Sequence, residues 1–300
     1  MSVFSPVSPG LIRRLQDWLP RLVLAPSFAL VIVFVYGFIV WTAVISMTNS
    51  RILPVYNWAG FDAYRRLFAQ PNWYVALENL AIFGTLYIVV CISLGLFLAI
   101  LLDQKIRIEG FLRPIYLYPM ALSFVVTGTA WKWFLNPGMG LQNAMRQLGW
   151  ESFTFDWLVN PNMAIYTVAI AGIWQASGFV MAMFLAGLRG IDSEMLKAAT
   201  VDGASTFTIY RRIVIPLLRP AFLSAVIVLA HMAIKSYDLV IALTGGGPGN
   251  ATELPSTFMY SYTFTRSQMA VGSASAMIML MGIAAIMIPY LYSELREDRR

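Results

Sequence analysis

The segment EMLKAATVDGASTFTIYRRIVIPLLRP occupies residues 194–220. It is polar, basic and rich in small residues, and it separates two long apolar runs. Loops between apolar runs of this length are usually short or irregular, yet this one carries signals of order. Ala198 and Ala199 favour helix, Gly203 interrupts it, and Pro216 and Pro220 restart the chain. Ser193 is expected to cap a short helix over 194–201. Small side chains at Ala198, Ala199, Gly203 and Ala204 leave room for another surface to approach. These residues admit two roles. One is an amphipathic helix among lipid headgroups, with Arg211, Arg212 and Arg219 meeting anionic lipid. The other is a knob that docks on a cytoplasmic protein. Interfacial helices carry bulky apolar anchors, and this segment has few.

The flanking runs set the class. Of 300 residues, 59% are hydrophobic and 12% charged, with a mean hydropathy of +0.68. A soluble domain is about 25% charged, so this chain meets lipid. A membrane-crossing helix needs about 20 mostly apolar residues. Six stretches qualify: 22–47, 80–102, 114–135, 163–188, 221–243 and 270–292. The first is too long for the apolar part of a signal peptide and lacks a small-residue cleavage site, so an uncleaved anchor is expected. No internal repeat supports a chain built from two inverted halves. The expected fold is all-α and polytopic: a cytoplasmic segment 1–21, a six-span domain 22–292 holding the loop 189–220, and a cytoplasmic tail 293–300.

Lysine and arginine orient the spans. With the amino terminus cytoplasmic, 14 of the 21 Lys and Arg fall on that side and 7 on the other. The smaller group is Arg51, Arg65, Arg66, Arg146 and Arg266, with Lys132 and Lys235 at the membrane ends. The bias places both termini and the 194–220 segment in the cytoplasm.

The chemistry for enzymatic work is sparse. His231 is the only histidine, which argues against histidine-rich metal sites and a Ser-His-Asp triad. Cys91, alone in an apolar run, reads as a packed thiol. GGGPGN at 245–250 lacks the Lys-Ser/Thr of a phosphate loop and reads as a turn. The net charge of +6 is spread over segment ends, with no basic run suited to nucleic acid. No metal or cofactor is expected. Energy must therefore come from outside the chain, from an ion gradient acting through intramembrane charges or from a protein pushing on it.

Charge inside a membrane is costly and usually faces protein or water. His231, Lys235 and Asp238 are spaced four and three residues apart, which places them on one face of a continuous helix. Lys235 and Asp238 could pair and hold that span in register, or the face could line a translocation path and bond the hydroxyls of a polar solute. In the fourth run, Trp174 and Gln175 of WQASG add an aromatic ring and an amide.

The stretch 197–220 resembles the coupling motif of binding-protein-dependent ABC importer permeases. Ala198, Ala199, Asp202, Gly203, Ala204, Tyr210, Pro216 and Pro220 fit that motif. Its Asp-Gly-Ala form is that of the carbohydrate branch. WKWFLNPGMGLQN (131–143) and KSYDLVIALTGGGPGNATELPS (235–256) are similar to further family stretches, and the overall match is nearest to glucose and mannose permeases of Gram-negative bacteria. The motif glutamate falls at Lys197, with Glu194 the nearest carboxylate, so the family's ion pair at that point does not carry over. The resemblance implies a coupling helix seated on a cytoplasmic ATPase, and as partners a second related permease, two ATPase subunits and a periplasmic sugar-binding protein. It implies an inner-membrane location. An ion-coupled carrier using His231, Lys235 and Asp238 is the alternative, as is the same permease architecture serving a polyol, an oligosaccharide or glycerol phosphate.

A reporter active only in the cytoplasm should work when fused near Ser205 or at Arg300, and fail near Asn143 or Asn250. A working fusion at Asn250 would invert the topology.

Overall fold

The structure, a computed structural model, describes residues 21, 23–104 and 109–297. Among these the chain is helical, with one isolated bridge between Thr48 and Trp58. The helices are α1 (Val23–Ser46), α2 (Asp62–Phe68), α3 (Pro71–Asp103), α4 (Glu109–Ala121), α5 (Phe124–Phe134), α6 (Leu141–Gln147) and α7 (Ala164–Arg189). They continue with α8 (Ser193–Val201), α9 (Thr206–Leu217), α10 (Arg219–Ile234), α11 (Asp238–Leu243), α12 (Pro255–Tyr260) and α13 (Met269–Glu297). The segments 1–20 and 298–300, expected as parts of the terminal regions, lie outside the described residues.

Among the described residues four helices are long and apolar enough to cross a membrane: α1, α3, α7 and the Met269–Tyr290 part of α13. A bent pair, α9 and α10 at 61°, makes a fifth when counted as one span. Helix α7 is central, with 67% of its apolar stretch buried against 28% in α3 and α13 and 6% in α1. Its packing on α3 forms the heart of the main core. The two helices come close at Gly95, where a Cβ would lie 2.7 Å from Val180 Cγ1 and 2.9 Å from the Met181 nitrogen. In lipid there is little hydrophobic drive between helices, so such small-residue contact is what holds them. A second core, at one end, joins α2, the start of α3, α12 and α13 around Trp73, Phe258 and Tyr262.

Two of the six expected spans are not continuous helices. The stretch 114–135 divides into α4 and α5 at Leu122 and Ser123. Pro119 removes a backbone donor in the last turns of α4, and Ser123, at φ −68° and ψ 150°, caps α5 by accepting from the Val126 amide at 3.2 Å. The stretch 221–243 divides into α10 and α11, with Lys235, Ser236 and Tyr237 between them. Span ends also differ. Helix α3 starts at Pro71 rather than near residue 80, because proline at the first position pre-sets the helical turn ahead of the apolar run.

Each break frees a backbone carbonyl, and each is met from a neighbouring helix. Gln175 on α7 donates its Nε2 to the Leu122 carbonyl at 2.7 Å. Ser256 on α12 donates its hydroxyl to the Ser236 carbonyl at 2.7 Å. The half-helices α5 and α11 then pack together, with Gly128 against the Leu239 carbonyl and Ala242.

Gln175→Leu should strand the Leu122 carbonyl in an apolar setting and cost about 1–3 kcal/mol, read as a lower unfolding temperature of the purified protein in detergent. An unchanged unfolding temperature would show that this bond does not hold the break.

Candidate functional site

Two groups of residues bear on function, at opposite ends of the helices. The first is α8. Its N-cap is Asp192 rather than Ser193: the Asp192 carboxylate accepts from the Glu194 amide at 2.9 Å, and aspartate caps as well as serine. Its other end is a Schellman turn, in which the Gly203 amide reaches the Thr200 carbonyl at 3.1 Å and the Ala204 amide reaches the Ala199 carbonyl at 3.0 Å. Gly203 sits at φ +80°, which glycine adopts at little cost. A Cβ there would meet no atom of the described residues within 4 Å, so the backbone, not crowding, calls for glycine.

Glu194, Lys197, Ala198 and Val201 share one helix face, and all are exposed. Asp202 is exposed as well, while Ala199 and Ala204 are half-buried. Val201 is 87% and Phe207 73% exposed, so α8 and the segment after it present apolar tips that none of the described residues covers. The segment is tied back at its base. Gln104, beyond α3, donates to the Tyr210 hydroxyl at 3.2 Å, and Arg189 at the end of α7 pairs with Glu109 at 2.6 Å and Asp103 at 4.0 Å. Pro216, exposed, stands in α9 just before the 61° bend.

The second group surrounds the two breaks. A cavity of about 190 Å³ is lined by His231, Met232, Lys235, Ser236, Tyr237, Asp238 and Leu239, with Phe124 from the start of α5. His231, Lys235 and Asp238 thus share a cavity, but not one helix face, because α10 ends at Ile234. Lys235 and Asp238 are also not an ion pair within 4.0 Å; among the described residues such pairs are Arg66–Asp62, Arg189–Asp103 and Arg189–Glu109. The register is set by Ser256 on the Ser236 carbonyl instead. Trp174 faces an adjoining apolar hollow with Leu122, Thr127, Ala130, Trp131 and Phe134, its ring 5.8 Å from that of Trp131. Gln175, 4% exposed, is turned to the α4–α5 break. Phe124, Ser236 and Tyr237 escaped the sequence reading. The signal was present in the polar interruption KSYD, which halts an otherwise apolar run. No cluster of metal-ligating side chains occurs among the described residues.

Residues 91–297 match the model of the family described as binding-protein-dependent transport system inner membrane component. The chain belongs to this family. It is a membrane transport component rather than an enzyme. It is 40% identical to a probable ABC transporter permease protein of Pyrococcus horikoshii, over 96% of this chain and 100% of that one. It is 36% identical to a xylose/arabinose import permease protein of Haloferax volcanii, over 90% and 86% of the two chains. A trehalose/maltose transport system permease protein of Thermococcus litoralis is 30% identical over 90% and 91%. The fold is that of a bacterial ABC transporter involved in alginate import, with a TM-score of 0.79 at 19% identity, covering 96% of this chain and 98% of that one.

Because Lys235 and Asp238 are not paired, exchanging them (Lys235→Asp with Asp238→Lys) should leave transport as impaired as either single change. Restored uptake in the double variant would reveal a pairing that the structure does not contain.

Proposed function

We propose that this chain is the permease subunit of a sugar-importing ABC transporter in the inner membrane, moved by ATPase subunits that grip α8. The observation that carries the proposal is the family match over 91–297, a range that holds both α8 and the cavity at the helix breaks. Sugar is the cargo named for several relatives, among them pentose and disaccharide permeases. The motif resemblance adds a glucose- or mannose-like hexose as the specific cargo.

In this proposal the chain crosses six times, through α1, α3, α4 with α5, α7, α9 with α10, and α13. An even count and the Lys/Arg bias support a cytoplasmic position for both termini and α8. A second related permease completes the pathway, two ATPase subunits supply the force, and a periplasmic sugar-binding protein delivers the solute. A solved relative of the same fold is an alginate transporter in complex with a pentasaccharide-bound periplasmic protein. Glu194, Lys197, Ala198, Ala199, Asp202, Gly203 and Ala204 form the gripped surface, while Tyr210 and Pro216 link it to α10. His231, Lys235 and Asp238 line the path with Tyr237, and Trp174 offers a ring face. Gln175 supports the wall. Broken helices suit this task, since backbone polar groups at a break can face a passing hydroxylated solute.

Gly203 tests the grip. Both Gly203→Ala and Gly203→Trp carry the strain of positive φ, about 1 kcal/mol, but only tryptophan adds a ring. Among the described residues no atom stands within 4 Å of a Cβ at that position, so a loss specific to tryptophan favours a partner surface. Gly203→Trp should reach the membrane in normal amount and lose ATPase association or hydrolyse ATP without uptake, while Gly203→Ala keeps most of both. Normal uptake with Gly203→Trp would refute the grip, since a helix lying in headgroups tolerates tryptophan.

A further inference from the structure

Three arginines from separate parts of the chain converge where α1 stops and α13 begins. Arg51 lies in the loop after α1, Arg66 on α2, and Arg266 in the turn before α13. They line a cavity of about 520 Å³ completed by Ile52, Gln70, Ser267 and Gln268, with no carboxylate in its wall.

The cavity is built, not incidental. The Arg51 carbonyl accepts from the Met269 amide and the Ser50 carbonyl from the Ala270 amide, each at 3.0 Å, which locks two of the segments together. Ser267 holds the turn at φ 54°, a left-handed conformation uncommon outside glycine. Arg266 donates to the Tyr262 hydroxyl at 3.1 Å with its guanidinium 4.6 Å from that ring, and the Tyr262 hydroxyl donates to Gln70 at 2.9 Å. Tyr262 is itself buried in the second core. Arg66 is paired with Asp62 at 3.1 Å. Arg51 makes no side-chain hydrogen bond or ion pair among the described residues. Glu253 faces Arg266 from the adjoining cavity; burial pushes its carboxyl up and Arg266 pulls it partly back. The cluster remains cationic.

Like charges gathered at one wall repel unless an anion joins them. Their placement is also against expectation, because this end is the one the Lys/Arg bias leaves poor in arginine. Of the five arginines there, three line this cavity. Beside it the loop exposes Ile52, Tyr56, Trp58 and Phe61, each more than 60% exposed. Aromatic residues beside arginine are the composition of protein-docking surfaces. Among the described residues that line the cavity, Ile52 alone has an apolar side chain, so the wall is one of donors suited to an anionic head.

We propose that the cavity of Arg51, Arg66 and Arg266 is an anchor for an Asp or Glu side chain on the periplasmic binding protein. This rests on the orientation given above, in which that end faces the periplasm.

The test uses the assembled transporter in phosphatidylcholine nanodiscs, with ATP hydrolysis stimulated by its solute-loaded binding protein. Arg51→Glu and Arg266→Gln should raise the half-stimulating concentration at least about tenfold at low salt, the gap closing as salt rises. Basal hydrolysis should be unchanged. Arg65→Glu, an exposed neighbour on α2 outside the cavity, should shift it less than about twofold. A hexaglutamate peptide should compete with the binding protein on wild type and not on Arg51→Glu. Shifts no larger than that of Arg65→Glu would overturn the anchor. Effects seen only when phosphatidylglycerol is present would overturn it in favour of a lipid site. A wild-type complex that does not respond to binding protein would instead refute the transporter reading, and the anchor with it.

Discussion

A helix that stops inside an apolar bundle leaves carbonyls without an intrahelical partner, and each one stranded costs about 1–3 kcal/mol. Much of this structure depends on how two such carbonyls are met. Leu122 and Ser236 stand at the two breaks, and each receives one side-chain donor from another helix, Gln175 from α7 and Ser256 from α12. The donors lower the cost of bending α4–α5 and α10–α11 by meeting one carbonyl at each break. The bends in turn open the cavity that holds His231, Lys235 and Asp238. A continuous pair of helices would place these residues along a closed seam.

The same economy governs the other end. Helix α7 is the most buried long helix, and its last residue, Arg189, reaches Glu109 and Asp103. Partly exposed pairs of this kind contribute at most about 1 kcal/mol each. Their value is geometric: with the Gln104–Tyr210 bond they fix the base of the α8 segment to the ends of α3, α4 and α7. The face of α8 is left bare while its root is held. A rigid element exposed on one side and anchored on the other can transmit a push from a partner into the bundle.

Composition and pattern determined a good deal unaided. Long apolar runs can only be helices in lipid, because every backbone group must be satisfied within the segment. Four spans were therefore legible without reference to neighbours, as was the short helix beginning near residue 194 and ending at Val201, ahead of Gly203. A glycine flanked by Ala199 and Ala204 at Schellman spacing is a local signal, and local signals survive in sequence. The family was legible for the same reason, since its motif lies in one unbroken stretch.

What only the tertiary structure decided were the contacts between distant residues. Gln175 reads in sequence as an amide for a sugar; its bond to Leu122, 53 residues away, turns it to the wall. Lys235 and Asp238 read as a helical pair because periodicity assumes an unbroken helix, and the break is stabilised by Ser256, 20 residues on. Arg51, Arg66 and Arg266 are scattered in sequence and meet only because the Met269 and Ala270 amides bind the loop after α1. Sequence fixes what each segment must satisfy, and only the folded chain shows which distant partner satisfies it.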